Sequence, residues 1–113
     1  TTAVQLVDVN SDGMRDIIVA NFLSNNVGVL FNSGSGTFLS QITYPTGTGP
    51  YSIVVIDISN DGKVDIIVAN QGSSSVGVLR NMGNGTFFSQ VIYSTGGSSS
   101  PSFVVAADLN GDS

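Results

Sequence analysis

The sequence predicts an all-β fold assembled from repeated four-stranded antiparallel sheets. Three observations support this prediction: the composition, a long internal repeat, and four short β-branched runs in each copy of that repeat. Only 10% of the 113 residues are charged, whereas Gly, Ser, Asn and Thr are abundant and Val and Ile dominate the apolar residues. Such a mixture is typical of short strands joined by tight turns, and it argues against helical bundles, which are rich in Ala, Leu, Glu and Lys.

The internal repeat is evident without any gap in the alignment. Residues 8–47 placed on residues 57–96 are identical at 24 of 40 positions. The longest shared block is Asp-Ile-Ile-Val-Ala-Asn, at Asp16–Asn21 and again at Asp65–Asn70. A four-stranded unit that recurs about every 50 residues is typical of the blade of a β-propeller.

The strands of each unit are bounded by turn residues. The expected strands of the first unit are 3–9, 16–21, 26–32 and 36–45, and those of the second are 52–58, 65–70, 75–81 and 85–94. The pair Asn84-Gly85 predicts a tight hairpin turn in the second unit. Strands of this length, with turns between them, leave no room for a helix.

Acidic loops connect the first two strands of each unit. The first loop reads Asp-x-Asn-x-Asp-Gly-x-x-Asp at residues 8–16, and residues 57–65 repeat it with serine at the third position. A third loop begins at Asp108, and the sequence ends within it, at Ser113. All eight acidic residues are aspartates and all lie in these loops. Oxygen-bearing side chains at alternate positions, with a glycine that permits a sharp turn, predict calcium binding, because the clustered charge needs a divalent ion to neutralise it.

Two other interpretations of the loops fit less well. An Asx-turn uses one aspartate or asparagine at a time, whereas each complete loop has three aspartates, at its first, fifth and ninth positions. An EF-hand requires a bidentate glutamate at the twelfth position, which is occupied here by Val19 and Val68. The loop is therefore expected to join two strands.

These motifs resemble FG-GAP/VCBS-type repeats, the calcium-binding blades of integrin α-subunit propellers, some lectins and many secreted bacterial proteins. The resemblance rests on the two complete acidic loops and on the Gly-x-Gly-Thr-Phe turns at residues 34–38 and 83–87. It covers nearly the whole chain, and it departs from the family pattern at Ser59 and in the shortened last loop.

The alternation and the resemblance together assign the candidate calcium ligands. The predicted side-chain ligands are Asp8, Asn10, Asp12 and Asp16 in the first loop and Asp57, Ser59, Asp61 and Asp65 in the second. The backbone carbonyls of Met14 and Lys63, at the seventh position of each loop, are predicted as further ligands. Calcium takes six or more oxygen ligands, so water would complete each shell. Its expected role is to clamp the hairpin between the first two strands of a blade.

The expected domain organisation is two complete blades and an extra inner strand. Residues 1–51 form the first blade, residues 52–101 the second, and residues 102–113 an inner strand with a truncated third loop. Propellers close with about 4–8 blades, so the chain is either a piece of a longer propeller or a unit that assembles with copies of itself. The sequence favours self-assembly, in which a homo-trimer would supply six blades and a homo-tetramer eight.

Several function classes are disfavoured. The chain has no His, Cys or Glu, so the usual general bases and thiol nucleophiles are missing and no enzyme is expected. Only Arg15, Lys63 and Arg80 are basic, which argues against a nucleic-acid partner. No apolar run approaches the roughly 20 residues of a membrane span. Loops of this kind saturate most easily at millimolar calcium, so an extracellular location is expected.

The expected function is a non-enzymatic, calcium-stabilised scaffold for structure or adhesion-type recognition of a protein ligand. The alternative is a lectin with carbohydrate sites between blades. Its candidate residues are the aromatic side chains Phe22, Tyr44, Tyr51 and Tyr93 for stacking on sugars, and Asn21, Asn32, Asn70 and Asn81 for reading hydroxyl groups. The simpler interpretation is that these aromatic residues pack blade on blade and these asparagines cap turns.

Overall fold

Ten strands and one short 3-10 turn make up the regular structure of the described part of the chain. The computed structural model describes residues 3–57, 61–83 and 85–94. The strands are β1 (Ala3–Val7), β2 (Asp16–Asn21), β3 (Asn26–Leu30), β4 (Asn32–Gly34), β5 (Thr37–Phe38), β6 (Ile42–Pro45), β7 (Pro50–Ile56), β8 (Asp65–Asn70), β9 (Ser75–Leu79) and β10 (Val91–Ser94). The predicted ligand Ser59, and the inner strand and third loop expected at residues 102–113, lie outside the described residues.

The strands form two four-stranded antiparallel sheets. The first sheet has the order β1-β2-β3-β6 and the second the order β7-β8-β9-β10. The second is a meander in which chain neighbours pair, and the first has the same course except that β4 and β5 lie between its third and fourth strands. The predicted all-β fold with propeller-like blades of four antiparallel strands is confirmed. Within the described residues, the two sheets do not close into a ring. The same part of the chain has no helix long and apolar enough to span a membrane.

The outer part of each unit differs from the long fourth strand that the sequence predicts. In the first unit, β4 and β5 form a separate small hairpin, and β6 begins only at Ile42. The turn at Ser35 and Gly36 closes this small hairpin, and both residues have positive φ, at 56° and 75°. Two consecutive positive φ values give the type I′ turn that suits a tight hairpin. In the second unit, residues 71–73 form a 3-10 turn where a plain turn was expected.

The hydrophobic core lies between the two sheets. In an antiparallel sheet, directly paired residues point to the same face, so the register separates each sheet into two faces. We call the face with Ile17 and Val19 the front of the first sheet, and the opposite face the back. The core joins the back of the first sheet to the front of the second. Its buried members are Val9, Ile18, Ala20, Val27 and Val29 from the first unit and Ile53, Ile66, Val68, Leu79 and Phe87 from the second.

Specific contacts fix how the second sheet sits on the first. The ring of Tyr44 from the back of the first sheet meets Phe87 edge-on, with 5.6 Å between ring centroids. On the inner strands, Gln5 Nε2 donates a hydrogen bond to the Ile53 carbonyl at 3.4 Å. The packing therefore has one orientation, in which the acidic loops of the two units lie at corresponding strand ends.

Candidate metal centre

The structure brings the three aspartates of each complete loop together. In the first loop, one carboxylate oxygen from each of Asp8, Asp12 and Asp16 lies within 4.8 Å of the other two. The same holds for Asp57, Asp61 and Asp65 in the second loop. Each cluster joins the end of one strand to the start of the next, at β1–β2 and at β7–β8. Convergence at positions one, five and nine is the arrangement that the spacing predicts.

The first aspartate of each loop organises the turn through backbone hydrogen bonds. The two oxygens of Asp8 accept from the N–H groups of Gly13 at 2.8 Å and Asp12 at 3.2 Å. Asp57 repeats this pattern, with Gly62 N at 2.7 Å and Asp61 N at 3.0 Å. Gly13 and Gly62 adopt φ of 83° and 81°, in the left-handed region that favours glycine. The recurring glycine is thus required by the turn itself.

The last aspartate of each loop is buried and tied to the strand that follows. Both Asp16 and Asp65 are 0% exposed. Asp16 Oδ2 accepts from Val9 N and Oδ1 from Asn32 N, each at 2.9 Å. In the second loop, Asp65 Oδ1 accepts from Asn81 N at 2.8 Å. These carboxylates therefore link each acidic loop to the turn after the third strand.

The protonation of Asp8 reflects opposing effects. Burial raises the pKa of the Asp8 carboxyl, but hydrogen bonds from the backbone N–H groups of residues 10–13, that of Gly13 foremost, outweigh it and hold the pKa below its ordinary value of 3.8. The stability that this ionised carboxylate contributes is fully present above the unfolded pKa and is lost as the pH falls through the lower folded pKa. Asp8 is therefore available at neutral pH as an anionic ligand.

The remaining predicted ligands can be placed only in part. Asn10 Oδ1 is buried and has no hydrogen-bond partner among the described residues. A buried carbonyl oxygen without a donor is costly, and a cation that accepts oxygen ligands would relieve it. At the seventh position, Met14 N and Lys63 N donate to Asp12 Oδ1 and Asp61 Oδ1 at 2.9 and 3.0 Å. That the backbone carbonyls of Met14 and Lys63 bind a metal ion remains a prediction.

The residues present fit a hard divalent cation. Each cluster offers three carboxylates whose oxygens lie close together, and calcium prefers such hard oxygen donors. Three close negative charges also repel one another, and a bound dication would turn that repulsion into attraction. Each of the two aspartate clusters could therefore hold a divalent metal ion.

Asn81 is a residue near the site whose role the sequence reasoning missed. Its Nδ2 donates to the carbonyls of Val9 at 2.9 Å and Val64 at 3.0 Å, while its Oδ1 accepts from Gly83 N at 2.8 Å. Asn81 therefore joins the acidic loops of both units. The signal was the recurring Asn-x-Gly at residues 32–34 and 81–83, where Asn32 likewise donates to the Arg15 carbonyl at 3.0 Å.

Several of the residues considered for sugar binding make internal contacts, as Asn32 and Asn81 do. The Tyr44 ring packs against Phe87 in the core between the sheets. Asn21 Nδ2 donates to Asn26 Oδ1 at 2.8 Å and to Gln41 Oε1 at 3.0 Å. Phe22 and Tyr51 meet edge-on at 6.4 Å, and Tyr51 is 42% exposed. For Tyr44 and Asn21, internal packing and hydrogen bonding explain the position of the side chain. That the protein binds carbohydrate remains a prediction.

Four-stranded meander sheets that stack face to face, each with a strand–loop–strand cluster of three aspartates, define a propeller-type repeat protein. The chain belongs to the family described as the FG-GAP-like repeat, whose profile matches residues 8–68 and again residues 57–113. The predicted resemblance is thereby confirmed. The fold of this family is generally non-enzymatic and serves structure or recognition, and its repeats commonly bind calcium. Comparison with curated proteins gave no significant match.

Proposed function

We propose that the chain is a calcium-stabilised scaffold for structure or adhesion-type recognition, that it has no catalytic activity, and that copies of it assemble into a closed propeller outside the cell. The observation that supports this proposal best is the pair of matched aspartate clusters at equivalent strand–loop–strand positions. The presence of the same three-carboxylate cluster in both units is explained if each cluster binds the same ion.

The role of each loop residue follows from its contacts. Asp8 and Asp57 shape the turn by accepting backbone N–H groups, and the exposed Asp12 and Asp61 extend a carboxylate toward the centre of the cluster. Calcium, when bound, would supply the positive charge that holds these carboxylates together. Because the ligands come from both ends of the hairpin, binding free energy would appear as folding stability.

Calcium should raise the melting temperature of the protein. At a free concentration about 100 times Kd, each site would contribute about 2.7 kcal/mol of stability. For a domain of this size, that corresponds to a rise of about 10 °C or more relative to excess chelator. The measurement is thermal unfolding followed by circular dichroism in calcium, in magnesium and in chelator.

The matched variant for this test is the double substitution Asp12→Asn and Asp61→Asn. Asparagine keeps the acceptor oxygen for Met14 N and Lys63 N, but removes one charge from each cluster. In chelator this variant should melt at or slightly above the wild-type temperature, because repulsion is reduced. Its response to calcium should largely disappear. A wild-type melt that does not respond to calcium would refute the proposal.

A further inference from the structure

The side chain of Asn81 holds the end of the second acidic loop and the start of the first. Its Nδ2 donates to the Val64 carbonyl at 3.0 Å, and its backbone N–H donates to Asp65 Oδ1 at 2.8 Å. The same Nδ2 donates to the Val9 carbonyl of the first unit at 2.9 Å. Asn81 is 6% exposed, so water competes little for these hydrogen bonds. Movement of either loop is therefore transmitted to one buried amide.

Val9, which accepts the hydrogen bond across the units, lies between two predicted ligands of the first loop, Asp8 and Asn10. Its N–H donates to Asp16 Oδ2 at 2.9 Å, and its carbonyl accepts from Asn81. Its side chain is buried in the core between the sheets. Because consecutive residues share rigid peptide planes, fixing Val9 restricts the positions from which its two neighbours extend their oxygens. The donation from Asn81 therefore acts on the geometry of the first aspartate cluster.

A second contact between the units involves Asn10 itself. Asn81 Oδ1 accepts from Gly83 N at 2.8 Å and from Gly85 N at 3.4 Å, so it shapes the turn that carries Gly85. A Cβ added to Gly85 would lie 2.9 Å from Asn10 Cβ, so this turn rests directly against the Asn10 side chain. Asn10 Oδ1 is buried and has no hydrogen-bond partner among the described residues. A shift of the turn would therefore move an oxygen that is predicted to bind the metal ion.

The first unit provides an internal comparison, because Asn32 is the repeat-equivalent of Asn81. Asn32 N donates to Asp16 Oδ1 at 2.9 Å, and its Nδ2 donates to the Arg15 carbonyl at 3.0 Å. Its Oδ1 accepts from Gly34 N at 2.8 Å. These three hydrogen bonds match those that Asn81 makes within its own unit, and the bond from Asn81 to the preceding unit is additional. The two asparagines thus separate a role within one unit from a role between units.

We infer that Asn81 is a positioning residue that couples the two acidic loops, so that calcium bound in one loop increases the affinity of the other loop for calcium. This inference rests on the proposed calcium binding and adds the contact through which the two sites communicate. Binding in the second loop would hold Asp65, and with it Asn81 and the Val9 carbonyl, in the arrangement that the first loop needs. Less ordering then remains for the first loop when it binds. Because coupling of binding free energies is reciprocal, the first loop favours the second by the same factor.

Isothermal titration calorimetry with calcium chloride measures this coupling. Asp61→Asn isolates the first loop and Asp12→Asn isolates the second, while the double variant gives the background from the rest of the chain. The product of the two isolated association constants is the overall constant expected for independent loops. We call the overall constant of the wild type divided by this product the coupling ratio, and we expect a value of about 5 or more. A coupling ratio of 1 or less would overturn the inference.

Asn81→Ser and Asn32→Ser form a matched pair for the same titration, each combined in turn with the two loop-isolating substitutions. Both remove the amide group that holds the loop of its own unit, so each should weaken calcium binding in that loop. Asn81→Ser also removes the hydrogen bond to the Val9 carbonyl, and its coupling ratio should fall to about 1. Asn32→Ser should retain the wild-type ratio. A wild-type ratio in Asn81→Ser, or an equal loss in both variants, would overturn the role of Asn81.

Hydrogen exchange of backbone amides gives a second measurement, which does not depend on whether Asn81→Ser folds. In the Asp12→Asn protein, calcium in the second loop should slow exchange of the Val9 and Gly13 amides of the first loop by about 5-fold. The Thr46 amide, whose hydrogen bond lies at the opposite end of the same sheet, is the control for general stabilisation and should slow less. Equal slowing at all three amides, or none, would overturn the inference.

Failure of this inference can be separated from failure of the proposed calcium role. If each loop binds calcium and the coupling ratio of the wild type is 1, the two loops act independently, so the coupling is wrong while the metal role stands. If the wild type shows no binding heat beyond that of the Asp12→Asn and Asp61→Asn double variant, the metal role of the two loops is wrong and the coupling falls with it.

Discussion

Replacing Asp16 with alanine should lower the free energy of unfolding by about 3 kcal/mol even when calcium is fully chelated. The buried carboxylate accepts two backbone N–H groups, from Val9 and Asn32, each at 2.9 Å. Alanine leaves both donors without a partner, and an unsatisfied buried donor costs about 1–3 kcal/mol. Since single domains are stable by only about 5–15 kcal/mol, this loss is large. The measurement is urea unfolding in excess chelator.

Asp12→Ala is the control that separates the hydrogen-bonding role from the metal role. Asp12 is exposed and its carboxylate accepts Met14 N, so in chelator this variant should remain within about 0.5 kcal/mol of the wild type. In calcium, both variants should lose the stabilisation contributed by the first loop. Equal stability of Asp16→Ala and Asp12→Ala in chelator would contradict the structural role that we assign to Asp16.

The sequence predicted the aspartate clusters well because spacing alone determines them. In each loop, side chains at alternate positions around a left-handed glycine must converge, and the two copies could be checked against each other. The role of Asn81 was harder to foresee, because it depends on the Val9 carbonyl, which is 72 residues away in the chain. Local patterns predict which groups turn toward a loop, but they do not show which neighbouring blade will approach it.

Burial illustrates the same limit more sharply. The six residues of β2 and of β8 are identical, yet β8 is buried at every position whereas β2 alternates between buried and half-buried. The sequence of a strand decides that it pairs and which side chains share a face. Whether that face is covered depends on the neighbouring sheet, and the first and second sheets differ in this respect. The sequence therefore predicted the length of the repeat, but it could not predict how many neighbouring sheets cover each blade.

Gly85→Ala should destabilise the protein by about 3 kcal/mol, because two separate penalties act on it. Gly85 has a φ of 87°, and an L side chain in this region costs about 1–2 kcal/mol. A Cβ there would also lie 2.7 Å from Phe31 Cε1 and 2.9 Å from Asn10 Cβ, both in the first unit. Forcing a methyl group into such a contact typically costs about 1–3 kcal/mol. Urea unfolding in calcium would measure the total.

Gly36→Ala isolates the part of this effect that arises between the two units. Gly36 is the repeat-equivalent of Gly85 and has a similar φ of 75°, but a Cβ there would meet nothing within 4 Å. We expect this variant to lose about 1 kcal/mol, from the backbone conformation alone. The difference between the two variants then measures how tightly the second unit rests on the first loop. Equal losses would mean that the contact of Gly85 with Phe31 and Asn10 can relax freely, and that this part of the interface is loose.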